Sequence, residues 1–332
     1  MTAPLRIVFF GTPDFAVPSL RALLAAADPV AGVVCQPDKP AGRGRRLMSP
    51  PVKSVALEAA VPVLQPEKLR APEFIEGVQQ WDPGLIVVAA YGKILPGAVL
   101  DLPRHGCINV HASLLPKYRG AAPIQWAILR GEQVTGVTIM RMNERMDAGD
   151  ILLQREVVIG ADETYGELQA RLAVIGATAL TEALARLRSG TLAGTPQCEA
   201  EVTLAPMIKK EDGRIDWAQS AIDIARRVRA FHPWPSAFTF LKGKLLKIHR
   251  AHPTNDAVPG PPGRVASVHY GIAVATGAGT SAGSLHPPQG SGGRVCSAGA
   301  VVLDELQLEG RKRLAATDFA RGGGIAIGTL LG

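Results

Sequence analysis

Between residues 6 and 189, short continuous apolar runs alternate with stretches of helical periodicity, and nothing else in the sequence restricts the fold as much. RIVFF (6–10) reads as a buried strand, VAGVVC (30–35) and the short VPVL (61–64) as further strands, and LIVVAA (85–90) as a strand buried on both faces. Further strands are expected at 107–111, 137–142 and 151–159. Helical patterns fall between them, up to about residue 27, after Ser49-Pro50-Pro51, at 72–81 and at 121–130. The last and longest, 163–189, carries Leu168, Leu172, Ile175, Leu180, Leu184 and Leu187. Asp14 and Ser49 are the expected helix caps. Strand–helix–strand units of this length demand a parallel sheet with helices on both faces. The expected fold is therefore α/β, a Rossmann-like, mostly parallel sheet over residues 1–189.

The pattern changes after that. Residues 190–208 are rich in Ser, Gly, Thr and Pro and read as a linker. Residues 209–332 offer one amphipathic helix (221–231), then strand-like segments at 238–241, 245–249, 264–267, 272–275 and 301–307. Short strands separated by turns after a helix predict a smaller C-terminal β-barrel domain, OB-like. Residues 277–299 are low in complexity and read as a flexible loop.

Several function classes lose support early. With 47% hydrophobic and 20% charged residues the chain can bury a core. Its apolar runs are too short to span a bilayer, and its first residues show no signal-peptide pattern, so a cytoplasmic protein is expected. Cys35, Cys107, Cys198 and Cys296 are scattered without a CxxC pair, against structural zinc or a disulfide framework. No phosphate-binding GxxxxGK[ST] occurs, no GxGxxG follows the first strand, and no GxSxG elbow is present. Charge is uneven: residues 1–205 balance to zero, and the whole net +7 falls in residues 206–332. That asymmetry fits either a basic soluble domain or one that attracts a polyanion.

The stretch from Cys107 to Asp150 holds the residues best suited to chemistry. Asn109 and His111 stand two apart on one strand and can point to one face. An amide beside an imidazole suits acyl transfer: one donates to a developing oxyanion, the other donates or moves a proton. Asp147, in DAGD (147–150), is the best-placed carboxylate to orient the imidazole. The same residues also read as a structural histidine and a turn-forming asparagine. No ligand set with metal spacing is found.

Longer blocks go further. INVHASLLPKYRGAAPIQWAI with MDAGDIL downstream, FFGTPDFAVPSL, QPDKPAGRGRRLMSPPVK, VVAAYGKILP, TGVTIMRMNERMDAGDIL, APMIKKEDGRIDW and RAFHPWPSAF resemble the folate-dependent formyltransferase family. The likeness fades between about residues 251 and 300 and returns in LQLEGRKRL and FARG. It implies Asn109, His111 and Asp147 as catalytic residues, and a folate lying against Ser113, Leu114, Leu115 and Pro116. It implies 10-formyltetrahydrofolate as donor, no metal, and the α-amino group of initiator methionyl-tRNA as acceptor. Relatives within the family that act on a purine precursor or a sugar-nucleotide amine share the same trio and are the alternative.

The acceptor is where the basic residues matter. Lys39, Arg43, Arg45 and Arg46 sit beside Gly42 and Gly44 in a loop at 36–48, where the family contacts the acceptor arm of the tRNA. Four cations with glycines suit phosphate contact. Lys209, Lys210 and Arg226, with Lys242, Lys244 and Lys247, are the expected tRNA contacts of the C-terminal domain, and Lys242 and Lys244 are expected on one strand face. Phe231, Trp234 and Phe238 read as core. A monomer without membrane contact is expected.

Overall fold

The computed structural model describes residues 4–41, 46–254, 256, 258, 260–277 and 299–332. The chain divides into two compact units. The first comprises Met1–Ile124, Gln133–Ile159 and Glu167–Met207; the second comprises Gln125–Glu132, Gly160–Gly166 and Ile208–Gly332.

The apolar runs of the first unit form the centre of its sheet. β1 (Ile7–Gly11) and β6 (Leu85–Ala89) are buried at every residue, as runs apolar on both faces should be. Between and after them come α1 (Val17–Leu24), β2 (Val30–Val34), a hairpin of β3 (Lys39–Ala41) and β4 (Arg46–Met48), α2 (Pro51–Glu58), β5 (Val63–Leu64), α3 (Pro72–Gln80) and α4 (Gly97–Leu100). Then follow β7 (Cys107–His111), β8 (Arg119–Gly120), α5 (Pro123–Leu129), β9 (Val134–Arg141), β10 (Ile151–Val158), α6 (Tyr165–Arg188) and β11 (Leu204–Ala205). The seven-stranded sheet has the order β10-β9-β7-β6-β1-β2-β5. From β5 to β7 all pairs are parallel, whereas β9 runs antiparallel to β7 and β10 antiparallel to β9.

Two helix starts differ from expectation. Asp14 opens a short 3-10 turn, and α1 begins at Val17 without a side-chain cap. The Ser49 hydroxyl donates to Asp38, 3.3 Å away, and α2 has Pro50 as its N-cap, with no side-chain cap. The two ends of the sheet's chain are clasped by one carboxylate. Asp28, buried, accepts the Leu5 N–H just before β1 (2.8 Å) and pairs with Arg188, the last residue of α6.

The residues read as a linker are not detached. Thr195 and Ile151 exchange two backbone hydrogen bonds (2.8 and 2.9 Å), and β11 pairs in parallel with β8. This strand-to-strand contact is close enough that only glycine fits at position 120: a Cβ there would lie 2.6 Å from the Ala205 carbonyl oxygen, and φ is +125°.

In the second unit, α7 (Ala221–Ala230) precedes β12 (Ala237–Leu241), β13 (Lys244–Thr254), β14 (Val265–Ser267), β15 (Ile272–Ala275), β16 (Ala300–Leu308), β17 (Leu314–Ala315) and α8 (Ala316–Arg321). The expected barrel is an antiparallel sheet, β12-β13-β16-β15-β14 with β17 on β16, curled into a half-barrel. Its core joins Ile224 and Val228 of α7 to Leu246, Ile248, Val274, Val301, Leu303 and Leu306 of the sheet. Burial alternates strictly along β12, the signature of a sheet with one packed face. Lys242 and Gly243 are the turn between β12 and β13, with φ of 48° and 76°. Both central residues are left-handed, as in a type I′ hairpin. Lys242 therefore lies within the turn and Lys244 opens β13, and the two do not share a strand face. Of the low-complexity stretch, residues 278–298 lie outside the described residues.

Candidate active site

β7 presents Asn109 half-buried and His111 buried, two residues apart. The Asn109 side-chain amide makes no hydrogen bond to a described residue, so it is available to a ligand. His111 Nε2 lies 3.0 Å from the Tyr118 carbonyl oxygen. A carbonyl only accepts, so Nε2 carries hydrogen and Nδ1 is the nitrogen left for other business. Nδ1 faces Asp147 Oδ2 at 3.7 Å, within ion-pair range and outside direct hydrogen-bond range. The same carboxylate oxygen accepts the Gly120 N–H at 2.9 Å. The structure thus brings all three expected residues into one neighbourhood of the first unit.

How Asp147 gets there is less obvious. Because β9 is antiparallel to β7, Arg141 lies beside Ile108, and His111 pairs with Thr138. The loop 142–150 starts at the far end of β7 and has to run back along it to reach His111. Asp147 sits in this loop at φ 49°, a left-handed conformation that Asp tolerates better than most residues.

Residues 112–120 form a braced loop. Ser113 Oγ donates to the Lys117 carbonyl (2.7 Å), and Thr138 Oγ1 donates to the Ser113 carbonyl (2.6 Å). The Leu115 N–H donates to Thr138 Oγ1 (3.1 Å), and Gln154 Nε2 donates to the Leu115 carbonyl (2.9 Å). Of the four expected folate contacts, Ser113 and Leu115 are buried, and Leu114 and Pro116 are half-exposed. A groove of about 680 Å³ nearby in sequence is lined by Leu69, Ile94, Leu95, Pro96 and Glu144, the last on the Asp147 loop. The block VVAAYGKILP supplies three of these residues, and sequence reasoning gave them no role.

The side chains that sequence reasoning missed lie in 195–205. Gln197 Nε2 donates to the carbonyls of Asp147 (2.9 Å) and Gly149 (2.7 Å). Arg119, only 5% exposed, donates to Gln197 Oε1 (3.0 Å) and faces Glu199 at 3.3 Å. Hydrogen bonding and charge from Arg119 hold the Glu199 carboxyl below its ordinary value. The Tyr118 N–H donates to Thr203 Oγ1 (2.9 Å). A Gln, Glu and Thr in a polar stretch were the only signal available. Among the described residues no group of three or more His, Cys, Asp or Glu side chains is placed to share a metal ion. Burial pushes the Cys35 and Cys107 thiols up to about 11 and about 12, which keeps both from acting as nucleophiles near neutral pH.

The basic residues are less uniform than their sequence suggests. Lys39 lies exposed on β3 and donates to Gln36 (2.7 Å). The expected loop is a β3–β4 hairpin, rooted by Asp38, which accepts Lys53 and Gln65, both at 2.8 Å. Arg43, Arg45 and the side chain of Arg46 lie outside the described residues, while Leu47 and Met48 of β4 are exposed. In the second unit Lys209, Lys210, Lys242 and Lys244 are exposed and Lys247 half-buried. Arg226 is paired with Asp223 (3.5 Å). Arg227, on the same helix, is buried and donates to the Asp212 carbonyl (2.6 Å). Arg229 donates to the Glu163 carbonyl (3.2 Å). Exposed Arg311 and Lys312 add to the lysines, because their turn meets β13 where the Glu309 N–H donates to the Leu245 carbonyl (2.8 Å). Phe231 is core as expected, but Trp234 is 53% exposed and Phe238 stands on the unpacked face of β12 beside Phe240.

With this geometry in view, comparison with known proteins is informative. The formyl transferase family model matches residues 5–184, and the model for the formyl transferase C-terminal domain matches 207–324. The methionyl-tRNA formyltransferase of Geobacter metallireducens is 46% identical over 331 residues, covering 99% of each chain. That of Myxococcus xanthus is 48% identical, covering 98% of this chain and 97% of its own. Solved structures with a similar fold include an N-formyltransferase from Helicobacter canadensis with folinic acid and dTDP-3-aminofucose (TM-score 0.61, 16% identity, 90% and 99% of the two chains). HypX from Aquifex aeolicus with tetrahydrofolic acid also matches (TM-score 0.58, 20% identity, 95% of this chain and 47% of that one). By both family models and by near-half identity over its length, the chain belongs to the folate-dependent formyltransferase family, among the methionyl-tRNA formyltransferases.

Proposed function

We propose that the protein transfers the formyl group of 10-formyltetrahydrofolate to the α-amino group of initiator methionyl-tRNA, giving the N-formylated tRNA for translation initiation. The observation that carries this reading is the likeness to methionyl-tRNA formyltransferases across both units at once, 44–48% identical over nearly the whole chain.

The chemistry follows from the site. The methionyl amine nitrogen attacks the formyl carbon, a carbon–nitrogen bond forms, and the carbonyl oxygen becomes an oxyanion. Asn109 donates its side-chain N–H to that oxygen, and His111 donates from Nδ1, since Nε2 is held by Tyr118. Asp147 supports the charged imidazole and accepts, through water, the proton the amine loses. The bond from the formyl carbon to N10 of the folate then breaks, and N10 takes up one proton. The folate lies against residues 113–116, and the apolar groove at Leu69, Ile94 and Leu95 is of a size to hold its ring system. The β3–β4 hairpin, with Lys39, Arg43, Arg45 and Arg46, holds the acceptor end of the tRNA. Lys209, Lys210, Arg226, Lys242, Lys244 and Lys247 attract its phosphates. The same reading takes the protein as a cytoplasmic monomer. Among the described residues no helix is long and apolar enough to cross a membrane.

The test is to incubate purified protein and 10-formyltetrahydrofolate with charged initiator tRNA, a sugar-nucleotide amine or a purine-precursor amine. Formylation of the charged tRNA alone is expected. Preference for a small amine would overturn the proposed acceptor.

A further inference from the structure

Residues 195–205 fall between the stretches matched by the two family models, 5–184 and 207–324. We propose that Gln197 is a positioning residue for Asp147, and that this segment is a strap which sets the His111–Asp147 geometry. The inference rests on the reading that Asp147 serves the chemistry.

The loop that carries Asp147 needs an external hold. Residues 142–150 leave the sheet after β9 and rejoin it at β10, and Asp147 stands within them in a left-handed conformation (φ 49°). One amide, Gln197 Nε2, donates to the carbonyls of both Asp147 and Gly149, at 2.9 and 2.7 Å. The orientation of that amide is fixed by chemistry. Arg119 only donates, so the Gln197 atom it meets at 3.0 Å has to be the oxygen, and the NH₂ group has to face the two carbonyls. Arg119 is itself buried and faces Glu199 of the same strap at 3.3 Å. A chain of contacts, charge-assisted at Arg119, thus runs from Glu199 through Arg119 and Gln197 to the backbone on either side of Ala148.

The strap also grips the other side of the pair. β11 pairs Leu204 with Arg119 and Ala205 with Gly120, and the Gly120 N–H donates to the Asp147 carboxylate at 2.9 Å. Thr203 accepts the N–H of Tyr118, whose carbonyl accepts His111 Nε2 at 3.0 Å. Both members of the pair are therefore one hydrogen bond away from a residue that the strap holds. Losing the hold would let Asp147 drift, and a displacement of about 1 Å at a reacting group can cost on the order of a hundredfold in rate.

The test is a double-mutant cycle on the full-length protein, read as single-turnover formylation of charged initiator tRNA. Gln197→Met keeps the length of the side chain and removes both donors and the acceptor. It should slow the chemical step by about tenfold or more, with KM for tRNA and folate within about threefold. Placed on Asp147→Asn, it should cost less than about twofold further, because the group it positions is already disabled. Near-normal turnover by Gln197→Met, or an equal fold-loss in both backgrounds, would overturn the proposal. Should Gln197→Met fail to fold, the same cycle with Gln197→Glu, which keeps the acceptor for Arg119 and lacks the donors, decides the matter on the same criteria. A fully active Asp147→Asn would instead sink the underlying assignment of Asp147, a distinct outcome.

Discussion

The two units use their charges in opposite ways. In the first, cations and carboxylates are matched: Arg119 with Glu199, Lys53 with Asp38, Arg155 with Glu182, Arg188 with Asp28. Residues 1–205 balance to zero. In the second, pairs such as Arg313 with Glu305 also occur, but Lys242, Lys244, Arg311 and Lys312 lie at two adjacent turns and Lys247 on β13 beside them with no carboxylate partner among the described residues. Chemistry on a formyl group needs groups held to fractions of an ångström, which paired charges provide. Attraction of a polyanion needs a field, which unpaired charges on turns provide without fixed geometry. The first unit should therefore control rate and the second affinity.

The sharpest way to break this division is at the trio. His111→Ala and Asp147→Asn should each lower the single-turnover rate by about a hundredfold or more, with the salt dependence of KM unchanged. A rate near normal in stopped assays would end the proposed roles. Next in size is the lysine set. Replacing Lys242, Lys244 and Lys247 with Gln should raise KM for tRNA about tenfold, and each lost phosphate contact should flatten the log–log salt slope by somewhat under about one unit. The maximal rate should stay within about twofold, because ground state and transition state are held alike. A loss of maximal rate with an unchanged slope, seen in a salt titration, would show that the second unit does more than attract. Smaller again is the effect of Arg311→Gln with Lys312→Gln. A KM increase of about threefold would extend the basic rim to the β16–β17 turn; no change would confine it to β13 and its turn.

The smallest expected effect separates the units by acid. Burial, then Arg313 and His232 nearby, hold His249 of β13 below the ordinary histidine value of 6.5. An unfolded chain takes up that proton more readily. The contribution to stability is complete above pH 6.5 and is lost as pH falls below it through the depressed folded value. His249→Gln should weaken this acid sensitivity, as followed in melts between about pH 7 and 5. An identical pH dependence in the variant would remove His249 as its source.

How much of this was legible in the sequence depended on the kind of residue. LIVVAA and RIVFF announce strands because an apolar run of that length has no other stable place in a soluble α/β fold. The pairing of Asn109 with His111 follows from strand periodicity alone. Asp147 is different. Strand pattern offers Asp147 as the best-placed carboxylate but cannot reveal that β9 reverses direction, so it does not show how the loop reaches His111. The strap was illegible for another reason. Gln197 finds its partners 50 residues away and Thr203 finds Tyr118 85 away, through polar side chains in a stretch whose composition is that of a linker. In the second unit the alternation along β12 was readable, while the Lys242-Gly243 turn was hidden because lysine is an unusual occupant of a left-handed position.

The clasp at Asp28 has a consequence of another kind. By holding Leu5 and Arg188 on one carboxylate, it places the way into the sheet beside the way out of the long helix. A fold with adjacent ends can be threaded into a longer polypeptide without disturbing either chain. For anyone grafting this cassette, the clasp and the strap set different boundaries: a cut after Arg188 preserves the closed sheet, whereas only one beyond Ala205 carries Gln197 and β11 along with it.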